Sequence, residues 1–206
     1  MSLWYKEHET WVRISQKGIH IKINRVMILL LKAFGAALFD AFTAFMMSVP
    51  SHHIRLSYLK LILGGLGKGS TVCRHVEIRV PRNIYIGNNT IINKRTLLDG
   101  RGGEIVIGDN VDIAQEVNIW TSQHDYNDDW HRLDNAGVTI GDYAWVAARA
   151  TIIPGVSIGK GAVIGTCSLV TKDVASMDVV GGVPAKHIST RTSQLKYKLF
   201  HRVFFQ

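Results

Sequence analysis

Residues 140–174 read IGDYAW, VAARAT, IIPGVS, IGKGAV, IGTCSL and VTKDV, so an aliphatic side chain returns at every sixth place: Ile140, Val146, Ile152, Ile158, Ile164 and Val170. The same period runs upstream through Ile86, Ile92 and Leu98, then Ile107, Ile113 and Ile119. Glycine often follows the aliphatic residue, as in Ile107-Gly108 and Ile158-Gly159. Four places after it stands a small or β-branched residue, for example Thr90, Val117, Ala150 or Ser168. A short strand can point one bulky side chain inward, and a small residue then leaves room for a tight corner. The period therefore predicts a β-solenoid with three frames to each triangular coil, every coil covered only by the coils above and below it.

Working outward, two interruptions stand out. An insertion at 100–103 shifts the register between Leu98 and Ile107, and a longer break covers 120–137. A solenoid tolerates an extra segment at a corner because the flanking coils still stack, so the break predicts an extruded loop, the kind of place where function sits. Upstream of the repeat, 26–47 is apolar and long enough to cross a bilayer. Lys32 and Asp40 interrupt it, each costing about 2.5–3.5 kcal/mol at a membrane helix centre, which argues against spanning. The favoured reading is a helix buried against the solenoid or a neighbouring subunit, with a membrane-surface helix as the alternative. After Pro50 and Ser51, 54–63 reads as a second helix, and Gly64, Gly65, Gly67 and Gly69 lead into the repeat. The expected division is an N-terminal helical region at 1–70, the solenoid at 71–188, and a short closing helix within 189–206.

The chain has 206 residues and a formal charge of +8 from 24 basic and 16 acidic residues. The basic residues are scattered and form no nucleic-acid motif, so an anionic ligand or a membrane surface is the expected partner rather than nucleic acid. Cys73 and Cys167 lie far apart, without metal-ligand spacing, which predicts neither a disulfide framework nor a zinc site. The first residues lack the pattern of a cleavable signal. A cytoplasmic location, peripheral to the inner face of the membrane if the apolar helix touches lipid, is the expectation.

The break contains His124 in Thr121-Ser122-Gln123-His124-Asp125, and an imidazole held by one ring nitrogen can take a proton from a hydroxyl with the other. Around it the chain resembles the hexapeptide-repeat acyltransferases, above all the branch of galactoside, maltose and polysaccharide O-acetyltransferases. The resemblance rests on Ile86-Gly87-Asn88-Asn89, Ile92-Asn93 followed by Asp99, and Ile107-Gly108-Asp109-Asn110-Val111. It continues through the His124 loop, Ile140-Gly141-Asp142, Pro154-Gly155-Val156, Val170-Thr171-Lys172-Asp173 and Gly182-Val183-Pro184-Ala185-Lys186.

That resemblance implies a left-handed parallel β-helix and a homotrimer with each active site between two solenoids. It makes His124 the general base and Asn93 an acceptor-positioning residue. Acetyl-CoA is the implied acyl donor and no metal is required. Trp145 matches a residue near the reacting end of the donor, Ala147, Ala148 and Thr166 match the pantetheine lining, and Thr171, Lys172 and Lys186 match the part that meets the nucleotide and its phosphates. The family often has glycine where Ala147 stands and a smaller polar residue in place of Arg149.

The segment 50–69 resembles the N-terminal part of enzymes that acetylate capsule, exopolysaccharide and O-antigen sugars, which makes a nucleotide-linked or lipid-linked sugar the expected acceptor. A small free sugar is the alternative. Two further readings compete: a non-catalytic trimer that binds ligands, and a zinc lyase using His124, His131 and nearby aspartates, against which stands the lack of a third suitably placed histidine.

Overall fold

A computed structural model describes residues 3–7, 10–14 and 16–200, with side chains from Met27 onward. The chain divides into two compact units, Met1–Phe42 and Thr43–Gln206. The first holds an antiparallel hairpin, Leu3–Glu7 with Thr10–Ile14, and most of a long helix α1 (Gln16–Ser48). The expected helical N-terminus therefore begins with two strands. Along α1 the described residues from Met27 to Phe42 are exposed, and only Thr43 and Met47, in the second unit, are buried. Within the second unit the last turn of this helix packs into the core of the column through Met47.

The second unit is a three-sided column of parallel strands. On its first face Gly65–Leu66, Ile84–Ile86, Ile105–Ile107, Val138–Ile140 and Ser157–Ile158 stack in order. Thr71–Val72, Ile91–Ile92, Asp112–Ile113, Trp145–Val146, Val163–Ile164 and Asp178–Gly181 make the second. The third holds Glu77–Arg79, Leu97–Asp99, Asn118–Trp120, Thr151–Ile152 and Leu169–Val170. The first coil thus starts at Gly65, inside the segment the sequence assigned to the N-terminal region, because Gly65 and Leu66 already pair with Tyr85 and Ile86.

Register explains the six-residue period. Ile86, Ile107, Ile140 and Ile158 are successive partners on the first face. Val72, Ile92, Ile113, Val146 and Ile164 form a second column and Ile78, Leu98, Ile119, Ile152 and Val170 a third. Nearly all of these side chains are inaccessible, and Thr90, Val111, Val117, Ala144, Ala150 and Ala162 fill the space behind the corners. Each inward Leu, Ile or Val contributes about 1.5–3 kcal/mol by leaving water. Helix α2 (His52–Ile62), capped at its start by Ser51, closes the open end of the column by burying Leu59, with Leu63 following.

The corners work differently from the sequence reading. Left-handed backbone falls on the fourth residue of the frame, and that residue is Asn89, Arg95, Asn110, Glu116, Tyr143, Arg149 or Cys167 as well as Gly155 and Gly161. The glycine in second place instead makes room for the next coil: a Cβ on Gly141 would stand 2.7 Å from the Lys160 nitrogen. That clearance lets a carboxylate or amide brace the coil below it. Asn88 N–H donates to Asp109 Oδ1 at 2.6 Å and Asp109 N–H to Asp142 Oδ1 at 2.8 Å.

At the far end Lys186–Thr190 pairs antiparallel with Asp178–Gly181 and covers the last strand of the second face. No helix follows through residue 200, contrary to expectation, and 201–206 lie outside the described residues. The tail is held extended by the column instead. Arg191 Nη1 donates to the carbonyls of Tyr143 and Gly161 at 3.0 and 3.2 Å, and Leu199 N–H donates to Asn110 Oδ1 at 3.2 Å. Those bonds need contour along the column, which the 1.5 Å rise of a helix would not supply.

Candidate active site

The extruded segment is a hairpin at the third-to-first corner, with Ser122–His124 antiparallel to Leu133–Asn135. Its base is tied to the insertion at 100–103. Thr121 Oγ1 donates to the carbonyl of buried Asp99 at 2.5 Å and accepts from Gly102 N–H at 2.9 Å. Arg101 grips the Asp99 carboxylate through Nε at 2.9 Å and Nη2 at 2.7 Å. Those charge-assisted bonds hold the guanidinium further above its ordinary pKa.

At the tip, turns built by Asp125 and Asp128 set the imidazole. Asp125 Oδ1 accepts from Asn127 N–H at 2.9 Å and Asp128 Oδ1 from Trp130 N–H at 2.8 Å. His131 takes a left-handed conformation, φ 52°, and its carbonyl lies 2.6 Å from His124 Nδ1. A carbonyl can only accept, so Nδ1 carries the proton and the Nε2 lone pair of the neutral ring remains available as a base. The His131 ring stacks on it with centroids 3.8 Å apart and planes 5° apart. Asp125, the sequence neighbour of His124, is engaged in its own turn. Among the described residues no three His, Cys, Asp or Glu side chains converge as a metal site.

The other predicted residues separate into two groups. Asn93, Ala147, Ala148 and Thr166 stack at the second-to-third corner, with Trp145 just before it on the second face and 46% exposed. Asn93 Nδ2 donates to the Ile113 carbonyl at 2.9 Å and to Asp112 Oδ1 at 3.4 Å, which fixes the amide plane. Thr166 Oγ1 donates to the Ala148 carbonyl at 2.8 Å. Arg149 turns to the preceding coil, its Nε 2.7 Å from Glu116 Oε2, a contact that holds Glu116 below and Arg149 above their usual pKa values. Lys186 is exposed on the strand beside the second face. Thr171 and Lys172, in contrast, lie exposed at the corner that carries His124, two coils further on. The chain therefore does not bring His124 together with Asn93 and Trp145, because the third face separates their corners.

Cationic groups collect beside Asn93 in a way the sequence did not announce. Cys73 stacks over it in the first coil, with Sγ 4.0 Å from Asn93 Oδ1, and Arg74 and Lys94 follow these two residues. Behind them Arg55 is 0% exposed, with Nη1 donating to the carbonyls of Val49 and Pro50 at 2.6 and 3.1 Å. Its Nε and Nη2 and the Nε of Arg74 are buried without a partner. Burial lowers the Arg55 pKa and raises that of the Cys73 thiol. An arginine at position 55 of an amphipathic helix reads as a surface charge, so no sequence signal marked it.

This arrangement has counterparts in known proteins. The bacterial transferase hexapeptide (six repeats) model matches residues 137–172. Galactoside O-acetyltransferase of Escherichia coli (strain K12) is 33% identical over 153 residues, 71% of this chain and 73% of that one. The chain belongs to the hexapeptide-repeat acetyltransferase family.

Within that family, the putative colanic acid biosynthesis acetyltransferase WcaF of Escherichia coli (strain K12) is 30% identical over 66% of this chain and 75% of its own length. The putative acetyltransferase YJL218W of Saccharomyces cerevisiae is 43% identical over 54% of this chain, which spans 58% of that relative. The crystal structure of the hexapeptide-repeat acetyltransferase VCA0836 of Vibrio cholerae, complexed with acetyl coenzyme A, superposes with a TM-score of 0.68. That match covers 75% of this chain and 86% of the other at 25% identity, and the shared fold is the left-handed parallel β-helix of the family.

Proposed function

We propose that this chain transfers the acetyl group of acetyl-CoA to a hydroxyl of a sugar carried on a phosphate-bearing donor, in the assembly of a surface polysaccharide. The observation that carries the reading is the 2.6 Å contact from His124 Nδ1 to the His131 carbonyl, which presents Nε2 as the base. In the reaction Nε2 takes the acceptor proton as the hydroxyl oxygen attacks the thioester carbonyl, and the C–S bond breaks when the tetrahedral centre collapses. The imidazolium then returns its proton to the departing CoA sulfur. His124 and the Asn93 corner lie apart in one chain, so the site is read as a groove between two copies of a homotrimer, the hairpin of one facing the second face of the next. The small side chains of Ala147 and Ala148 leave that corner open to a thin pantetheine arm, with Thr171, Lys172 and Lys186 available to a nucleotide and its phosphates.

The cations beside Asn93 favour an acceptor bearing phosphate over a free neutral sugar. The partly exposed charges of Arg74 and Lys94, with buried Arg55 behind them, attract an anion to the mouth of this corner. The names of the galactoside and colanic acid relatives fit a sugar hydroxyl.

The test is acceptor-dependent thiol release from acetyl-CoA across free sugars, nucleotide-sugars and lipid-linked sugars, for the wild type and His124→Ala. The variant is expected to lose roughly 100- to 10,000-fold in turnover while binding CoA normally. Equal turnover in the variant removes His124 from the mechanism. Release with free sugars alone removes the phosphate-bearing acceptor. No CoA binding by the wild type removes the enzyme.

A further inference from the structure

Helix α1 carries the largest stretch of exposed apolar surface among the described residues. Met27, Leu31, Phe34, Leu38, Phe42 and Phe45 are each more than half exposed. At about 100° per residue they fall within about 80° of arc, with Leu30 beside them. Lys32, Ala36, Asp40, Thr43 and Met47 occupy a second arc of about 80° on the other side. Thr43 and Met47 are the buried ones, Thr43 Oγ1 lying 2.6 Å from Tyr58 Oη. Ile28 and Phe39 lie between the arcs and Leu29 in the second, so the apolar half is wide.

Its width and chemistry decide what covers it. A seam through Leu31, Phe34, Leu38, Ala41 and Phe45 has the spacing of a coiled coil. Its flanking positions, however, are Ile28, Leu30, Gly35, Ala37, Phe42 and Ala44, without the charges that direct and stabilise such pairing in water. The apolar window Met27–Ser48 is 22 residues, about 33 Å of helix, enough to span, but Asp40 lies near its middle. Lying in the membrane plane avoids that penalty, because both charges then face water. Lys17, Lys22 and Arg25 precede the apolar run in the sequence and suit anionic headgroups.

We infer that α1 is an in-plane membrane anchor, seated with the Leu31, Phe34 and Leu38 side in the acyl boundary of an anionic lipid bilayer. This inference stands apart from the acetyl-transfer reading and can fail without it. The experiment is flotation of the full chain with phosphatidylglycerol–phosphatidylcholine vesicles, using two matched triple variants. Leu31→Gln/Phe34→Gln/Leu38→Gln is expected to lower the lipid partition coefficient roughly a hundredfold. Leu29→Gln/Ala33→Gln/Ala36→Gln, on or beside the arc of Lys32 and Asp40, is expected to float like the wild type. Equal flotation of wild type and the first variant, equal loss in both variants, or no flotation of the wild type overturns the anchor. A smaller oligomer for the first variant in lipid-free sedimentation gives the face to a second copy of the chain. Resistance of the vesicle-bound protein to alkaline carbonate makes α1 a spanning helix and overturns the in-plane placement. Thiol release with a soluble acceptor, unchanged in both variants, shows that the catalytic unit is intact.

Discussion

Two corners of the same column are built on opposite rules. At the second-to-third corner each coil repeats the last, and Asn93, Ala114, Ala147 and Gly165 stack because register places them there. At the third-to-first corner the coils differ: a single-turn helix at Pro81–Asn83, the insertion at 100–103, the hairpin with His124, then Pro154 and Gly155. Repetition gives the first corner a row of register-aligned residues with small side chains at Ala114, Ala147 and Gly165. Irregularity gives the second a side chain, His124, whose ring is held by a backbone carbonyl of its own hairpin. A repeat can supply length cheaply, but a reactive group needs its own local scaffold.

The comparison is broken most directly at the hairpin base. Thr121→Val keeps the volume but leaves the Asp99 carbonyl and Gly102 N–H without Thr121 Oγ1. The expected cost is about 1–3 kcal/mol for each orphaned group, with a fall in turnover and unchanged CoA affinity. Urea denaturation beside single-turnover kinetics checks it, and a loss of CoA affinity instead would mean the two corners are not independent.

A smaller effect is expected from the repetitive side. Ala147→Leu should weaken acetyl-CoA binding by about tenfold, or about 1.4 kcal/mol, with the turnover of saturated enzyme preserved. Calorimetric titration with CoA reads this, and unchanged affinity would move the donor off this corner.

The smallest concerns pH. Arg149 and Arg95 hold the Glu116 carboxyl below its ordinary pKa. Its contribution to stability is therefore complete above the unfolded carboxylate pKa and is lost as pH falls through the lower folded value. In Glu116→Gln the melting temperature should fall less on acidification than in wild type. Identical acid dependence would show that this exposed pair contributes nothing.

Much of the column was legible because its cause is periodic. Ile86 through Val170 had to point inward at every sixth place for coils to stack, and the breaks at 100–103 and 120–137 marked the irregular corner. The role of glycine was not legible, since Gly87 and Gly141 serve the neighbouring coil while Asn89 and Tyr143 take the left-handed turn. His124 stands out in the sequence as a candidate, but the carbonyl that holds its ring does not, because a backbone carbonyl has no residue type. The tail misled for a similar reason: Lys196, Lys198 and apolar neighbours resemble a helical face, while the partners that keep the chain extended, Asn110 and Tyr143, lie far back in sequence.

That extended tail changes how the column can come apart. Coils that touch only their neighbours are free to peel from an end one at a time. A strand of chain tied to Gly161, Tyr143 and Asn110 in turn laces three successive storeys together, as a drawstring does a sleeve. Opening the last storey then strains the two beneath it, so the end that carries Lys172 and Lys186 shares the fate of the middle rather than fraying alone.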